Sequence, residues 1–293
     1  MAKEKTTDVY QIVTNRIISD LEKGIIPWEK PWIAKGNRYA ISGTTGKRYS
    51  LLNQMLLGMP GKWYTYKQAE KIGAHVRKGE KSSVCVFWKM IEDKKEQKDG
   101  DDKKKKMIPI LRYYNVFHES QIDGLPESEP ETEFEVSESP DAEKVIWDYV
   151  NREGISLVHS DADGAYYAPG KDLIHLPKPE LFKNTNEYYA TAFHEMTHST
   201  GHESRLNRFA ENKTNAAFGS EEYSKEELVA EIGSAILMNV CDLETEHSNR
   251  NTSAYIQNWL SVLNDDKRFI VSASSRADKA VDYILETEEE SED

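Results

Sequence analysis

Cysteine is scarce in this chain: only Cys85 and Cys241 occur in 293 residues. They lie far apart, so neither a disulfide framework nor a thiolate zinc site is expected, and each is read as a small packed hydrophobe. Long apolar runs are missing too. None approaches the roughly twenty residues that cross a bilayer, and Met1 to Asp20 is too charged to resemble a signal peptide. A soluble, cytoplasmic protein is expected. No internal repeat is found, and the length suits two domains of ordinary size.

Charge of both signs is abundant but unevenly placed. The net charge of −13 divides into +9 over residues 1–125, with 24 Lys and Arg against 15 Asp and Glu, and −22 over residues 126–293, with 14 against 36. A basic half suits a polyanion and an acidic half does not, so nucleic-acid contact is expected in the N-terminal part. Four of its lysines, Lys103 to Lys106, form one run that would serve equally well as a solvated loop tip.

The chain is predicted to be α+β, with domains at 1–125 and 141–285. Residues 126–140, rich in Glu, Ser and Pro, read as a linker, and 286–293 as a disordered acidic tail. In the first half, Thr7 to Lys23 carries Tyr10, Val13, Ile17 and Leu21 at helical spacing before Gly24. Ser50 to Gly58 is a short apolar helix, and Thr65 with Gln68 forms a capping box for a helix stopped by Gly73. Val84 to Ile91 and Ile108 to Phe117 are predicted to form a hairpin with a long mobile tip. The second half is predicted to hold a helix from Asp141 to Arg152 and strands at AYYAP and DLIHLP, joined by a turn at Gly170 and Lys171. Helices follow from Asn184, from Ser224, over Thr252 to Leu263 and over Arg276 to Leu285.

The segment FHEMTHSTGH contains His194, Glu195 and His198 in the HExxH spacing. Residues four apart share a helix face, so both imidazoles can bind one Zn²⁺ while Glu195 faces the water to be activated. A catalytic zinc usually takes three protein ligands. His202 lies eight residues past His194, which turns it about 80° round the helix, and Gly201 would end the helix before it. The downstream stretch SKEELVAEIGSA offers Glu226, Glu227 and Glu231. Of the pair Glu227 and Glu231, one can bind the metal while the other accepts a ligand histidine's second N–H. Alternatively, Glu227 could serve only a capping box with Ser224. The mechanism such a site implies is peptide hydrolysis with Glu195 as general base. Tyr188, Tyr189 and Tyr223 lie close enough in sequence to stabilise an oxyanion, although tyrosines on such helices more often belong to the core.

The chain resembles the ArdC family of antirestriction proteins, carried on plasmids and phages. The resemblance runs through IPWEKPW, KWYTYKQAEKIGAHVRKGEKSSVCVFWK and RYYNVFHESQIDGLP in the first half. In the second it runs through YYAP, DLIHLP, YYATAFHEMTHSTGHESRLNR and YSKEELVAEIGSA. It implies an N-terminal domain that binds single-stranded DNA and a zincin-like, SprT-like metallopeptidase domain. It also implies zinc at His194 and His198, Glu195 as the catalytic residue and Glu227 as third ligand. The lysine-rich insert between the hairpin strands departs from the family pattern.

Base stacking on aromatic faces within a basic groove holds single strands, and the first half has the residues for it. Trp28, Trp32, Trp63, Tyr64, Tyr66 and Trp88 alternate with Lys30, Lys62, Lys67, Arg77, Lys78 and Lys81. HVRKGEK, with Gly79 in a tight turn, is the expected phosphate cradle. Some of these six aromatics are expected in the core instead. The partners anticipated are single-stranded DNA and a protein substrate, free or DNA-bound, with no membrane.

Overall fold

The computed structural model describes residues 8–28, 39–92, 107–126, 141–162, 164–211, 221–243 and 252–287. Trp32, Lys30, the tip of the charged insert, residues 127–140 and the last six residues lie outside the described residues.

Helix α1 (Val9–Leu21) starts at Asp8, whose carboxylate accepts from the Gln11 amide, and its four-residue spacing buries Val9, Val13, Ile17 and Leu21. Helix α2 (Leu51–Leu57) is buried on every side and stops at Gly58, where φ is 69°. A seven-residue helix with no polar face must be wrapped by other elements. Its Asn53 side chain satisfies both backbone groups of Val86 at 2.8 Å each, which fixes α2 against the sheet. That sheet has the order β1-β2-β5-β4, from β1 (Ala40–Ser42), β2 (Gly61–Tyr64), β4 (Ser83–Glu92) and β5 (Met107–His118). The predicted hairpin is β4 with β5, in register from Ser83↔Val116 to Glu92↔Met107. Helix α3 (Tyr66–Lys71) carries the predicted capping box of Thr65 and Gln68. Two short strands, β3 (His75–Val76) and β6 (Ile122–Asp123), pair beside it.

In the second half α4 (Ala142–Glu153) leads into β7 (Ser156–Ser160), a strand the sequence pattern did not reveal. It pairs in parallel with β9 (Leu173–Pro177), which pairs antiparallel with β8 (Tyr166–Ala168). Helices α5 (Thr185–Ser199), α6 (Arg208–Glu211), α7 (Glu221–Val240), α8 (Thr252–Asp265) and α9 (Phe269–Leu285) complete the chain. Two predicted helix starts move. Helix α7 begins before Ser224, so Ser224 is interior and cannot cap it. Helix α9 begins at Phe269 rather than Arg276, and it buries Phe269, Ile270, Val271 and Ala273.

Helices α5 and α7 approach closely where Gly233 faces Thr197. A Cβ on Gly233 would lie 2.6 Å from Thr197 Cγ2, so only glycine permits this crossing. The approach positions the histidines of α5 against the glutamates of α7.

The two halves share one hydrophobic core. Val13 and Ile17 of α1 and Met55 of α2 belong to the same buried cluster as Leu228 and Ile232 of α7, Leu263 of α8 and Ile270 of α9. Trp28 meets Trp259 edge-on at 5.1 Å across this seam. A second core lies between α4, α5, the β7-β9-β8 sheet and the outer ends of α7 and α9. Among the described residues no helix is long and apolar enough to cross a membrane.

Candidate metal centre

Helix α5 opens at Asn184, whose side chain accepts from the Glu187 amide at 2.8 Å, and it buries His194 and Glu195 at 5% exposure each. The Nε2 atoms of His194 and His198 face each other at 3.1 Å. The Glu227 carboxylate of α7 completes the triangle, with Oε2 3.6 Å from His194 Nε2 and Oε1 3.4 Å from His198 Nε2. Around a tetrahedral ion with metal–ligand distances of about 2.0–2.1 Å, neighbouring donors stand roughly 3.3 Å apart. The three donors therefore fit a small divalent cation. No other group of His, Cys, Asp and Glu among the described residues offers such convergence.

The Nδ1 atoms point the other way, each toward a carboxylate. His194 Nδ1 faces Glu231 Oε1 at 3.9 Å, and His198 Nδ1 lies 3.5 Å from Glu226 Oε1. Carboxylates on the outer nitrogens orient ligand imidazoles and set their tautomer. Glu226 is held in turn by Arg208, whose Nη2 donates to its Oε1 at 2.6 Å. Arg208 also donates to Thr200 Oγ1 and to the Thr197 carbonyl, which pins α6 beneath the end of α5.

The electrostatics match a cation site. Burial opposes charge on His198, but hydrogen bonds to Glu226 and Glu227, reinforced by the nearby Glu195 charge, push its pKa up to about 10. Burial also opposes ionisation of Glu227, yet hydrogen bonds from His194 and His198 hold it well below the usual carboxylate range. Negative groups surround this point and a positive charge is favoured there.

Other candidates fall away from the centre. His202 sits in the turn after α5 with its Nδ1 against Ser204 Oγ at 2.8 Å. Tyr188 is buried, its phenol 3.1 Å from His159 Nε2, and burial pushes its pKa up to about 12. The half-buried Tyr189 turns its hydroxyl toward Glu143. The side chain of Tyr223 lies outside the described residues. The sequence reasoning missed Arg208 altogether. Its need shows only in the structure, where an acid as buried as Glu226 requires a cationic partner.

Arg205, also unanticipated, ties the motif helix to the sheet. Its buried guanidinium bonds Asp172, in the turn before β9, the Tyr167 hydroxyl of β8 at 3.0 Å and the Ser199 carbonyl at 2.8 Å. Burial works against the Asp172 carboxylate, but hydrogen bonds from Arg205 and Tyr167 prevail and lower its pKa. A folded pKa below the unfolded value means that the stabilisation is complete above the unfolded range near 3.9. It disappears as pH falls through the lowered folded value. Asp172→Asn is expected to cost stability at pH 7 and to approach the parent as pH drops below about 4. Denaturant unfolding at several pH values measures this, and a difference independent of pH would contradict it.

The expected DNA-contact residues separate into three groups. Trp28 and Trp63 are 1% and 2% exposed, so the expectation that they stack on bases is corrected: their faces are spent on the core. Tyr64 is likewise buried. Arg77 is engaged by Glu80 at 2.9 Å and Asp123 at 3.4 Å, which makes the HVRKGEK turn a self-paired surface and removes its expected central cation. Exposed and available are Tyr66, Lys67, Lys78, Lys81 and Trp88, with Lys62 half-buried.

Each half of the chain matches a known family of domains. Residues 7–117 match the N-terminal domain of anti-restriction factor ArdC, and residues 144–276 match a zincin-like metallopeptidase domain. Two proteins described as DNA primase TraC from Escherichia coli are 36% and 37% identical over 96% of this chain, which spans only 20% and 27% of their length. An uncharacterized protein, y4eC, of Sinorhizobium fredii is 31% identical over 95% of this chain and 92% of its own. Crystal structures of the antirestriction protein ArdC from plasmid R388, metal-free and Mn(II)-bound, superpose with TM-scores of 0.72 and 0.73. Each is 36% identical and covers 95% of this chain and 97% of that one. With both domain matches in order and a relative of known structure covered from end to end, this chain belongs to the ArdC family of antirestriction proteins.

Proposed function

We propose that this protein is a zinc-dependent peptidase borne on a single-stranded-DNA-binding support, acting in the cytoplasm on proteins bound to incoming DNA and thereby protecting that DNA from restriction. One observation carries the peptidase reading: His194, His198 and Glu227 place donor atoms within 4.8 Å of one another, next to the buried Glu195. A zinc ion held by these three residues would supply a Lewis acid and acidify water at the site. Glu195 is the residue to take up a proton as general base and return it to the leaving amine. Glu226 and Glu231 keep the imidazole rings oriented. Mn(II) in the R388 relative supports a divalent site without selecting the ion. The DNA reading rests on the ArdC N-terminal domain match and on the exposed basic and aromatic residues of that half.

The test combines metal and cleavage. Zinc at a hundredfold excess over its Kd should stabilise the chain by about 2.7 kcal/mol, and chelation should reverse that gain and abolish cleavage of an unstructured protein substrate. A fully metal-loaded chain that cleaves no protein, with or without single-stranded DNA, would reject the peptidase and leave a metal-bearing DNA shield.

A further inference from the structure

Five of the 14 basic residues in the acidic second half line a single groove of about 710 Å³, and Asp266 is the one acid among its lining residues. The groove lies where the halves meet. Arg268, Arg276 and Lys279 stand on one wall, and Tyr10 and Trp88 come from the basic half. Arg208 is bound to Glu226 at 2.6 Å, and Lys225 lies 3.9 Å from Asp266.

The aromatic wall is equally distinctive. Trp88, on edge strand β4, is 47% exposed, although a tryptophan has much to gain from burial. Its ring meets Tyr10 edge-on at 6.5 Å, and the Arg268 guanidinium lies over the Tyr10 ring at 5.2 Å. A ladder of indole, phenol and guanidinium beside further cations offers flat faces for bases and charge for phosphates. A groove of about 1000 Å³ in the first half sets Lys62 and Lys71 against Glu119 and Asp123, so it has no such excess.

From this charge complementarity we infer that the strand-binding track is not confined to the ArdC N-terminal domain. Single-stranded DNA lies in the groove between Trp88 and α9, with phosphates on Arg268, Arg276 and Lys279 and a base on Trp88. This inference rests on the DNA-binding reading above and gives it a location. It also places the strand next to the metal centre, because Arg208 forms part of the groove and holds the carboxylate behind His198.

The test uses the full metal-loaded chain and a labelled oligo-dT, with binding read by fluorescence anisotropy at several salt concentrations. The triple variant Arg268→Ala, Arg276→Ala, Lys279→Ala should flatten the salt slope by about 0.7 per cation removed. Trp88→Ala should weaken binding by about 5- to 150-fold at constant slope. Neutralising Lys67 and Lys71 of α3 and Lys78 in the turn after β3 is the control and should cost less. Parental affinity and slope in both groove variants, or an equal loss in the control, would overturn the inference while leaving strand binding itself intact. A parent chain that binds no oligo-dT would defeat the DNA-binding reading and this inference together. Should the triple variant fail to fold, the exposed single change Lys279→Glu replaces it and must still weaken binding.

Discussion

Glu195→Gln is expected to lower peptide cleavage by about 10²- to 10⁴-fold, the usual contribution of one acid–base group. Metal content, melting temperature and oligonucleotide binding should stay at parental values. The substitution is near-isosteric, so a side chain that is only 5% exposed keeps its packing and loses only the capacity to take a proton. The candidate ligands His194, His198 and Glu227 are untouched, which is why zinc content is the essential companion measurement. A variant with full zinc and undiminished cleavage would remove Glu195 from the chemistry. If cleavage is lost while incoming DNA remains protected, proteolysis is dispensable and protection comes from coating the strand.

Arg208→Met is expected to destabilise the protein by about 3–5 kcal/mol, the range for removing one partner of a buried ion pair. That corresponds to a drop on the order of 10 °C in melting temperature. Arg208 and Glu226 are 5% and 7% exposed, so Glu226 would keep a charge that water barely reaches. With a metal on its other nitrogen His198 would be neutral, so its Nδ1, 3.5 Å from Glu226, would offer an N–H but no compensating charge. Zinc affinity should also fall, by about 10- to 100-fold, as for other residues behind metal ligands. The double variant Arg208→Met, Glu226→Gln should recover part of the stability, since the orphaned charge is gone. A single variant that melts within a degree of the parent would show that the pair carries no such weight.

Much of this centre is legible from local pattern. HExxH specifies two imidazoles on one face of a helix, and the YYATAF stretch before it supplies that helix. The acidic cluster in SKEELVAEIGSA announces a carboxylate ligand but does not choose one. Glu226 and Glu227 point about 100° apart round a helix, so the choice depends on how α7 is rotated toward α5. Gly233 against Thr197 sets that rotation and spacing, and neither residue bears any metal-binding signature. The result is Glu227 inward, with Glu226 and Glu231 behind the rings. The aromatics show the same limit. Trp28, Trp63 and Trp88 have similar basic surroundings in sequence, yet two are sealed in cores and one is open to solvent.

Composition and short-range periodicity were enough to announce an α+β chain without a bilayer-length apolar run, its basic and acidic halves, its capped helices and the histidine pair, because each depends on residues within a turn or two of one another. Tertiary packing alone decided which glutamate faces the histidines, that Arg208 neutralises the acid behind them, and that α1 and α2 share a core with α7, α8 and α9. Those outcomes turn on how separate elements rotate and approach, which side-chain volumes far apart in the chain set jointly. A seam between two halves of opposite charge is likewise a property of their contact, so a basic groove can arise on a half whose net charge is −22.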